Sequence, residues 1–455
     1  MLNRAAKPLV KLVERYLPDP FVFVLILTVC VFLAAVLIEQ QPIVTVVEQW
    51  GNGLWGLLTF SMQMLLVLVT GFMLASTAFI RMLLEKLAHL GNTPGKAIIL
   101  VTFVSLSASW INWGFGLVVG ALFAKTLAQK TQVDYRLLVA SAYSGFLVWH
   151  GGLAGSVPLT IATPGHFSEN QIGVISTSDT LFSGFNIALL CILFIVVPLV
   201  NRLMLPSHQD SVIVSPDKLI DSIEQEQEQE QEQEQGIEKK HGLEQVKSNK
   251  RPADKLENSK ILGILIGVLG IAYLVNYFIK DGGLNLNIVN TIFLFLAIAL
   301  HGTPKRLLQS LQQAVKGGSG IIIQFPFYAG IMAVMVQSGL AESMSQWLIS
   351  FASAQSLPVL TFISAGIVNI FVPSGGGQWA VQAPVVLPAA AELGADISRI
   401  AMAVAWGDAW TNLIQPFWAL PVLAIAGLKA KDIMGFCLVQ LIITGVIIAL
   451  ALRFF

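Results

Sequence analysis

In an otherwise apolar chain, the groups able to do chemistry gather in four short stretches. SASWINWGFG (107–116) and SGFLVWHGGLAGSVP (144–158) lie in the first half, and FVPSGGGQWAVQAP (371–384) and WGDAWTNLIQPFWALP (406–421) in the second. The flanking residues are apolar enough to lie in a membrane. Hydrocarbon penalises non-helical backbone there, because no water pairs its N–H and C=O groups. Interruptions at corresponding places in two halves therefore point to the binding site of a transporter.

Each interruption offers a different chemistry. In Ser374-Gly375-Gly376-Gly377 the glycines remove side chains and open backbone dihedrals closed to other residues, leaving N–H and C=O groups to face a ligand. Exposed N–H groups at a helix N-terminus favour an anion such as a carboxylate, and freed carbonyls at a C-terminus favour a cation. Gln378 follows that tip, and Ser109, Asn112, Trp113 and Gly114 form the corresponding tip of the first half, with side-chain hydrogen bonds in place of bare backbone. Two long spans after the tips are broken as well, at Trp149-His150-Gly151-Gly152 and at Asp408 to Asn412 with Gln415-Pro416. These residues locate a site for an organic anion and, through Asp408, Thr411, Asn412 and Gln415, for a coupling Na+ or proton.

An ionisable residue inside a span is a functional candidate by default. Asp408 falls roughly 12 Å inside its span at the helical rise of 1.5 Å per residue. Two readings of it stand: a cation ligand or proton carrier, or a carboxylate capping the N-terminus of the helix after the break. His150 likewise reads as a hydrogen-bonded core histidine or a proton relay. Seven of the ten tryptophans (Trp110, Trp113, Trp149, Trp379, Trp406, Trp410 and Trp418) lie in the four stretches, where rings would wall a compact pocket against a short apolar chain. Trp50, Trp55 and Trp347 suit an interfacial belt. No Lys or Arg occurs in the four stretches, so a small monoanion fits better than a phosphate ester or a di- or tricarboxylate.

The elements that must position these residues are membrane helices. Charged residues make up 12% of the 455-residue chain and apolar ones 55%, the profile of a polytopic membrane protein. The formal net charge is zero, which gives no argument for nucleic acid. Cys30, Cys191 and Cys437 stand singly in apolar runs and read as packing residues, with no disulfide framework or metal spacing. The cationic N-terminus (Arg4, Lys7, Lys11, Arg15) precedes a first transmembrane helix, without the cleavage pattern of a signal peptide. Spans are expected near 20–38, 57–80, 137–163, 181–201, 260–279, 284–300, 317–339, 400–427 and 432–453, with bent regions at 97–125 and 355–391. Arg81, Lys86 and Lys96 before the first bent region and Lys125, Lys130 and Arg136 after it put both its ends on the cytoplasmic side, whereas 39–56, 164–180 and 340–354 lack Lys and Arg and read as external. The two bent regions thus read as hairpins entering from opposite faces, in an inverted repeat. At one constant offset Gly114 falls on Gly376, Asp134 on Asp396, Gly145 on Gly407 and Gly165 on Gly427, a thin identity that the topology must carry.

The chain divides into a first membrane repeat at 1–205, a low-complexity segment at 206–258 and a connecting helix with the second repeat at 259–455. The run EQEQEQEQEQEQ (224–235) cannot bury a core, so the middle segment reads as a disordered or loosely helical cytoplasmic spacer. No GxxxxGK[ST] pattern is present, so energy would come from gradients.

SASWINWGFGLVVGALFAK, YSGFLVWHGGLAGSVPLTIATPGH, VPSGGGQWAVQAP and WGDAWTNLIQPFWALP resemble the most recognisable stretches of the bacterial short-chain fatty acid transporter family, of the acetoacetate and butyrate uptake type. The resemblance covers the chain outside the Glu-Gln segment. It implies an all-α membrane fold of the wider ion-transporter superfamily: two inverted repeats, each with a re-entrant hairpin and a broken helix, an elevator-type motion and a homodimer in the inner membrane. It also implies secondary transport of a short-chain carboxylate with Na+ or H+, no cofactor and no enzymatic activity. A dicarboxylate carrier, a Na+/H+ antiporter and an anion channel stand as alternatives.

Overall fold

The computed structural model describes residues 20–207, 209–215, 252–280 and 282–454. The N-terminal cations and the Glu-Gln run lie outside the described residues. Among these residues the ordered elements are helices, as backbone in hydrocarbon requires unless a sheet closes on itself. Eight helical stretches are long and apolar enough to cross a membrane, and three shorter apolar helices accompany them. Their bounds fall within a few residues of the expected spans; Lys260–Ile279 coincides with its expectation, and the two broken stretches run Tyr135–Ile161 and Ile397–Ala426. Five helices between spans were not expected: Ile43–Gly53, Ala78–Ala88, the single turn Glu169–Ile172, Pro304–Lys316 and Leu340–Ile349. Of the cysteines only Cys437 is buried; Cys30 and Cys191 are exposed on the outer surface of their helices, which corrects the packing assignment.

The same order of elements occurs twice. In the first half, α1 (Pro94–Ile111) breaks at Asn112 and continues as α2 (Trp113–Lys130). Asp134 then caps α3 (Tyr135–Ser144), which tightens into a 3-10 turn at Gly145–Gly151 and resumes as the short α4 (Ser156–Ile161). In the second half, α5 (Leu357–Phe371) breaks ahead of Ser374, which caps α6 (Gly375–Leu393). Asp396 caps α7 (Ile397–Thr411), a 3-10 turn follows at Asn412–Ile414, and α8 (Pro416–Ala426) completes the set. Asp134 and Asp396 are both helix caps, and Gly165 (φ 83°) and Gly427 (φ 67°) both take the left-handed conformation that favours glycine.

Small residues let the first pair of arms close. A Cβ at Gly116 would run into the backbone of Ser109, and one at Gly120 would sit 2.7 Å from Ser105 Oγ, so α1 and α2 pack antiparallel nearly backbone to backbone. The tip is clipped to a neighbouring helix, α9 (Leu58–Ala75), where Asn112 Nδ2 donates to Val67 O at 3.3 Å. The largest apolar core runs from Val24 through Phe325 and Ala329 to Met434.

The cap at Asp134 does more than start a helix. It is buried, and its carboxylate accepts from Leu137 N (2.9 Å), Arg136 Nη2 (2.8 Å) and Val212 N (2.8 Å). Tyr135 N in turn donates to Val212 O at 2.9 Å, so residues 209–215 are tied to the start of α3. Asp396 makes one capping bond, from Ser398 N at 2.9 Å, at an exposed site. Asp134→Ala should therefore lower stability by about 2 kcal/mol or more and Asp396→Ala by about 1. Thermal unfolding of the detergent-solubilised variants measures both, and equal losses would contradict the difference in role.

Candidate substrate and ion site

The first break forms because the chain must approach its neighbours too closely for an ordinary helix. A Cβ at Gly145 would lie 2.6 Å from Leu106 N, and one at Gly152 would lie 2.7 Å from Trp110 Cα. The freed backbone is then paired from outside the helix. Leu153 N donates to Trp110 O at 2.7 Å, and Gly151 O accepts from Asn186 Nδ2 at 2.9 Å. Asn186 also takes Trp406 Nε1–H on Oδ1 at 3.1 Å, joining the first break to α7 of the other half.

The second break is set by Pro416, which lacks the N–H a continuing helix needs. Its carbonyls are claimed reciprocally by the first half: Tyr143 Oη donates to Asn412 O and, at 3.3 Å, to Gln415 O. Gln415 Nε2 donates to Asn369 O (2.6 Å) and Ile370 O (3.3 Å), which carries the brace on to the end of α5. Each break is thus held by a buried side chain from elsewhere in the chain.

The second tip reaches this junction. Ser374 Oγ accepts from Gly377 N at 3.4 Å, and Gly375–Gly377 form the first helical turn of α6. Their φ angles are not positive, so the expectation of unusual dihedrals is corrected: the glycines serve close approach instead. A Cβ at Gly375 would overlap His150 Nε2 and lie 3.0 Å from Trp149 Cη2; at Gly376 it would lie 2.6 Å from Phe60 Cζ, and at Gly377 2.6 Å from Tyr328 Cδ2. In the first turn of a helix the N–H groups of Gly375 and Gly376 have no helical acceptor.

Beneath Gly375 lies a buried acid and imidazole. His150 Nε2 is 3.4 Å from Asp408 Oδ1, an ion-pair distance too long for a strong hydrogen bond, and both side chains are 0% exposed. Asp408 Oδ1 also accepts from Asn412 Nδ2 at 3.0 Å. Asp408 Oδ2 and His150 Nδ1 have no partner, nor do the nearby Asn369 Oδ1 and Gln378 Oε1. Buried polar atoms are normally paired, and those that are not call for a ligand, water or ion. The capping reading of Asp408 is corrected, since it lies in the last turn of α7, where the helix has not yet broken.

Rings wall the junction. Trp149 packs on His150 (centroids 3.6 Å apart), on Phe146 (5.5 Å) and on Trp113 (5.8 Å), and Trp113 meets Trp418 edge-on at 5.4 Å. Trp379 and Trp406 are buried in separate apolar clusters that both include residues of the first half, and Trp406 lies against Gly151 of the first break. Of the expected interfacial rings, Trp55 and Trp347 are exposed and Trp50 is packed against Phe32 and Phe327.

The structure brings Trp149, His150, Gly151, Gly375, Asp408, Thr411, Asn412 and Gln415 together, with Trp113 reaching them through its ring and Gly376, Gly377 and Ser374 completing the tip. Other candidates are engaged in packing. Ser109 faces Gly116 between the arms of the first hairpin, with its buried Oγ unpartnered, Asn112 is held by Phe115 N and Val67 O, and Gly114 abuts Leu68 O. Gln378 Nε2 donates to Ala365 O (2.8 Å) and Gln382 Oε1 (2.7 Å) between α5 and α6. Sequence reasoning missed Asn369, Tyr143 and Asn186. Asn369 had a signal, as a lone amide in the apolar run IVNIF just before the tip.

Comparison with known proteins follows the same pattern. The family model described as short chain fatty acid transporter matches residues 1–455. A protein of Escherichia coli (strain K12), provisionally named a short-chain fatty acid transporter, is 43% identical over 457 residues, covering all of both chains. A protein of Haemophilus influenzae with the same provisional name is 42% identical, again over the full length of both. The crystal structure of the Alcanivorax borkumensis YdaH transporter superposes with a TM-score of 0.58 at 15% identity, covering 95% of this chain and 98% of that one, a likeness of fold. The chain is a multi-pass membrane protein of the short-chain fatty acid transporter family, a family of transporters and not of enzymes.

Proposed function

We propose that this protein carries short-chain monocarboxylates, such as acetoacetate or butyrate, by alternating access coupled to Na+ or H+. The carboxylate would bind where the second tip meets the first break, on the first-turn N–H groups of α6 and His150, with Trp113 and Trp149 against the alkyl chain. The coupling cation would bind beside Asp408, Thr411 and Asn412. The observation that carries this reading is the buried His150–Asp408 pair under Gly375, with an unpartnered atom on each member. An anionic substrate beside a buried carboxylate is unfavourable unless a cation or proton offsets one of the charges, so the two ligands bind better together than apart.

Further features support the finer reading. The recurring order of elements, together with the placement of Lys and Arg, favours two repeats of opposite orientation with re-entrant hairpins, and an N-terminus and middle segment in the cytoplasm; the elevator-type motion and the homodimer in this reading rest on the family resemblance. The lack of Lys and Arg in the four stretches favours a monoanion over the dicarboxylates of the alternative reading.

Counterflow in proteoliposomes tests the mechanism: preloading with unlabelled butyrate should accelerate entry of labelled butyrate, whereas a channel would show no trans-stimulation. Gly375→Ala, which drives a methyl into His150, should raise the half-saturating butyrate concentration by about tenfold or more, corresponding to about 1.4 kcal/mol. Unchanged uptake would remove the tip from the site. Asp408→Asn should abolish the response of uptake to the cation gradient, and a retained response would place coupling elsewhere.

A further inference from the structure

Asn369 presents a mismatch of donors and acceptors. Its side chain is buried on α5, facing the end of α7. Its Nδ2 lies 3.0 Å from the backbone O of Asp408, 2.9 Å from Thr411 Oγ1 and 2.8 Å from Asn412 Oδ1. An amide NH2 has two hydrogens, so three oxygens converge on a group that can serve two of them. At the other end Asn369 Oδ1 is buried with no hydrogen-bond partner, which is unfavourable for an acceptor. The neighbours cannot relieve this, since Thr411 donates its proton to Gly407 O at 3.3 Å and Asn412 Nδ2 donates to Asp408 Oδ1.

The surroundings of that convergence point are negative. Asp408 O and Thr411 lie at the C-terminal end of α7, the negative end of the helix dipole, and Asp408 Oδ2 is unpartnered nearby. The two ends of an amide have nearly the same shape. Half a turn about the last side-chain bond would bring Asn369 Oδ1 to the same centre, making a cage of uncharged oxygens beside one carboxylate. Oxygen ligands suit a hard cation, and a single carboxylate matches a single positive charge. No group of three or more His, Cys, Asp or Glu suited to a metal ion occurs among the described residues.

We infer that Asn369 Oδ1, Asp408 O, Thr411 Oγ1 and Asn412 Oδ1 form a sodium site, with Asp408 as its counter-charge. This rests on the proposed coupling region and deepens it: Asn369 becomes a ligand, sodium becomes the ion, and Gln415 becomes a positioning residue, its Nε2 committed to Asn369 O and Ile370 O. An ion held between α5 and α7 pins the arm that leads to the second tip. It thereby fixes Gly375 over His150, which links sodium occupancy to the carboxylate site.

The test is thermal unfolding of the purified full-length protein without substrate, in NaCl, KCl or choline chloride at equal ionic strength. Wild type should show a saturable rise in Tm with Na+ beyond that with K+ or choline. Asn369→Leu, which keeps the bulk and removes the oxygen, should lose the Na+-specific rise; should that variant fail to fold, Thr411→Val decides by the same readout. No Na+-specific rise in wild type, an equal rise with K+, or a rise retained in these variants overturns the site. Proton-driven butyrate uptake without a sodium effect would leave carboxylate transport standing and remove sodium. A sodium-specific shift in a protein that moves no carboxylate would do the reverse.

Discussion

Backbone released where a helix breaks inside hydrocarbon has no water to turn to, and the arrangement of this molecule follows from how that backbone is paired. Asn186 takes Gly151 O, Tyr143 takes Asn412 O and Gln415 O, and Gln415 takes Asn369 O and Ile370 O. Two of these braces cross between the halves: Tyr143 of the first half holds the second break, and Asn186, bonded to Trp406 of the second half, holds the first. Breaks paired in this way are fixed relative to one another, because an unmade bond in this medium costs several kcal/mol. The two halves therefore meet as one polar junction set in an apolar body.

That junction is where charge can be buried. Asp408 gains one amide bond and an imidazole neighbour, which is less than a carboxylate needs in a dry interior, and the deficit is what a cation, a proton or a ligand would supply. The glycines of the second tip matter because they bring the start of α6 against His150 and Trp149 without an intervening side chain. The aromatic residues pack around the pair, Trp149 on His150 and Trp113 on both Trp149 and Trp418. In the proposed function, tip, pair and rings would act as a single device in which a bound anion and a bound cation stabilise one another.

Much of this was legible in the sequence, and for physical reasons. Membrane spans are long and uniformly apolar, so their positions emerged within a few residues, and an acid or histidine in mid-span stands out against such a background. Pairings across sequence did not emerge. Asp408 lies 258 residues from His150, and nothing in a single chain records that they meet. Asn112 had the right chemistry for a ligand but is engaged in clipping the first hairpin to its neighbour, whereas Asn369 looked like one stray amide in an apolar helix. The run of glycines stood out in the sequence, but its structural cause, close approach and not backbone freedom, depends on what stands opposite.

The account turns on His150 and Asp408 acting as one unit at the meeting of the two breaks. A double-mutant cycle on thermal stability with His150→Gln, Asp408→Asn and the double variant measures that unit directly. The account predicts strong non-additivity, with the double variant no less stable than the weaker single one, because each single change leaves the other group buried and uncompensated. Additive losses would mean that the two residues are independent neighbours, and would contradict it.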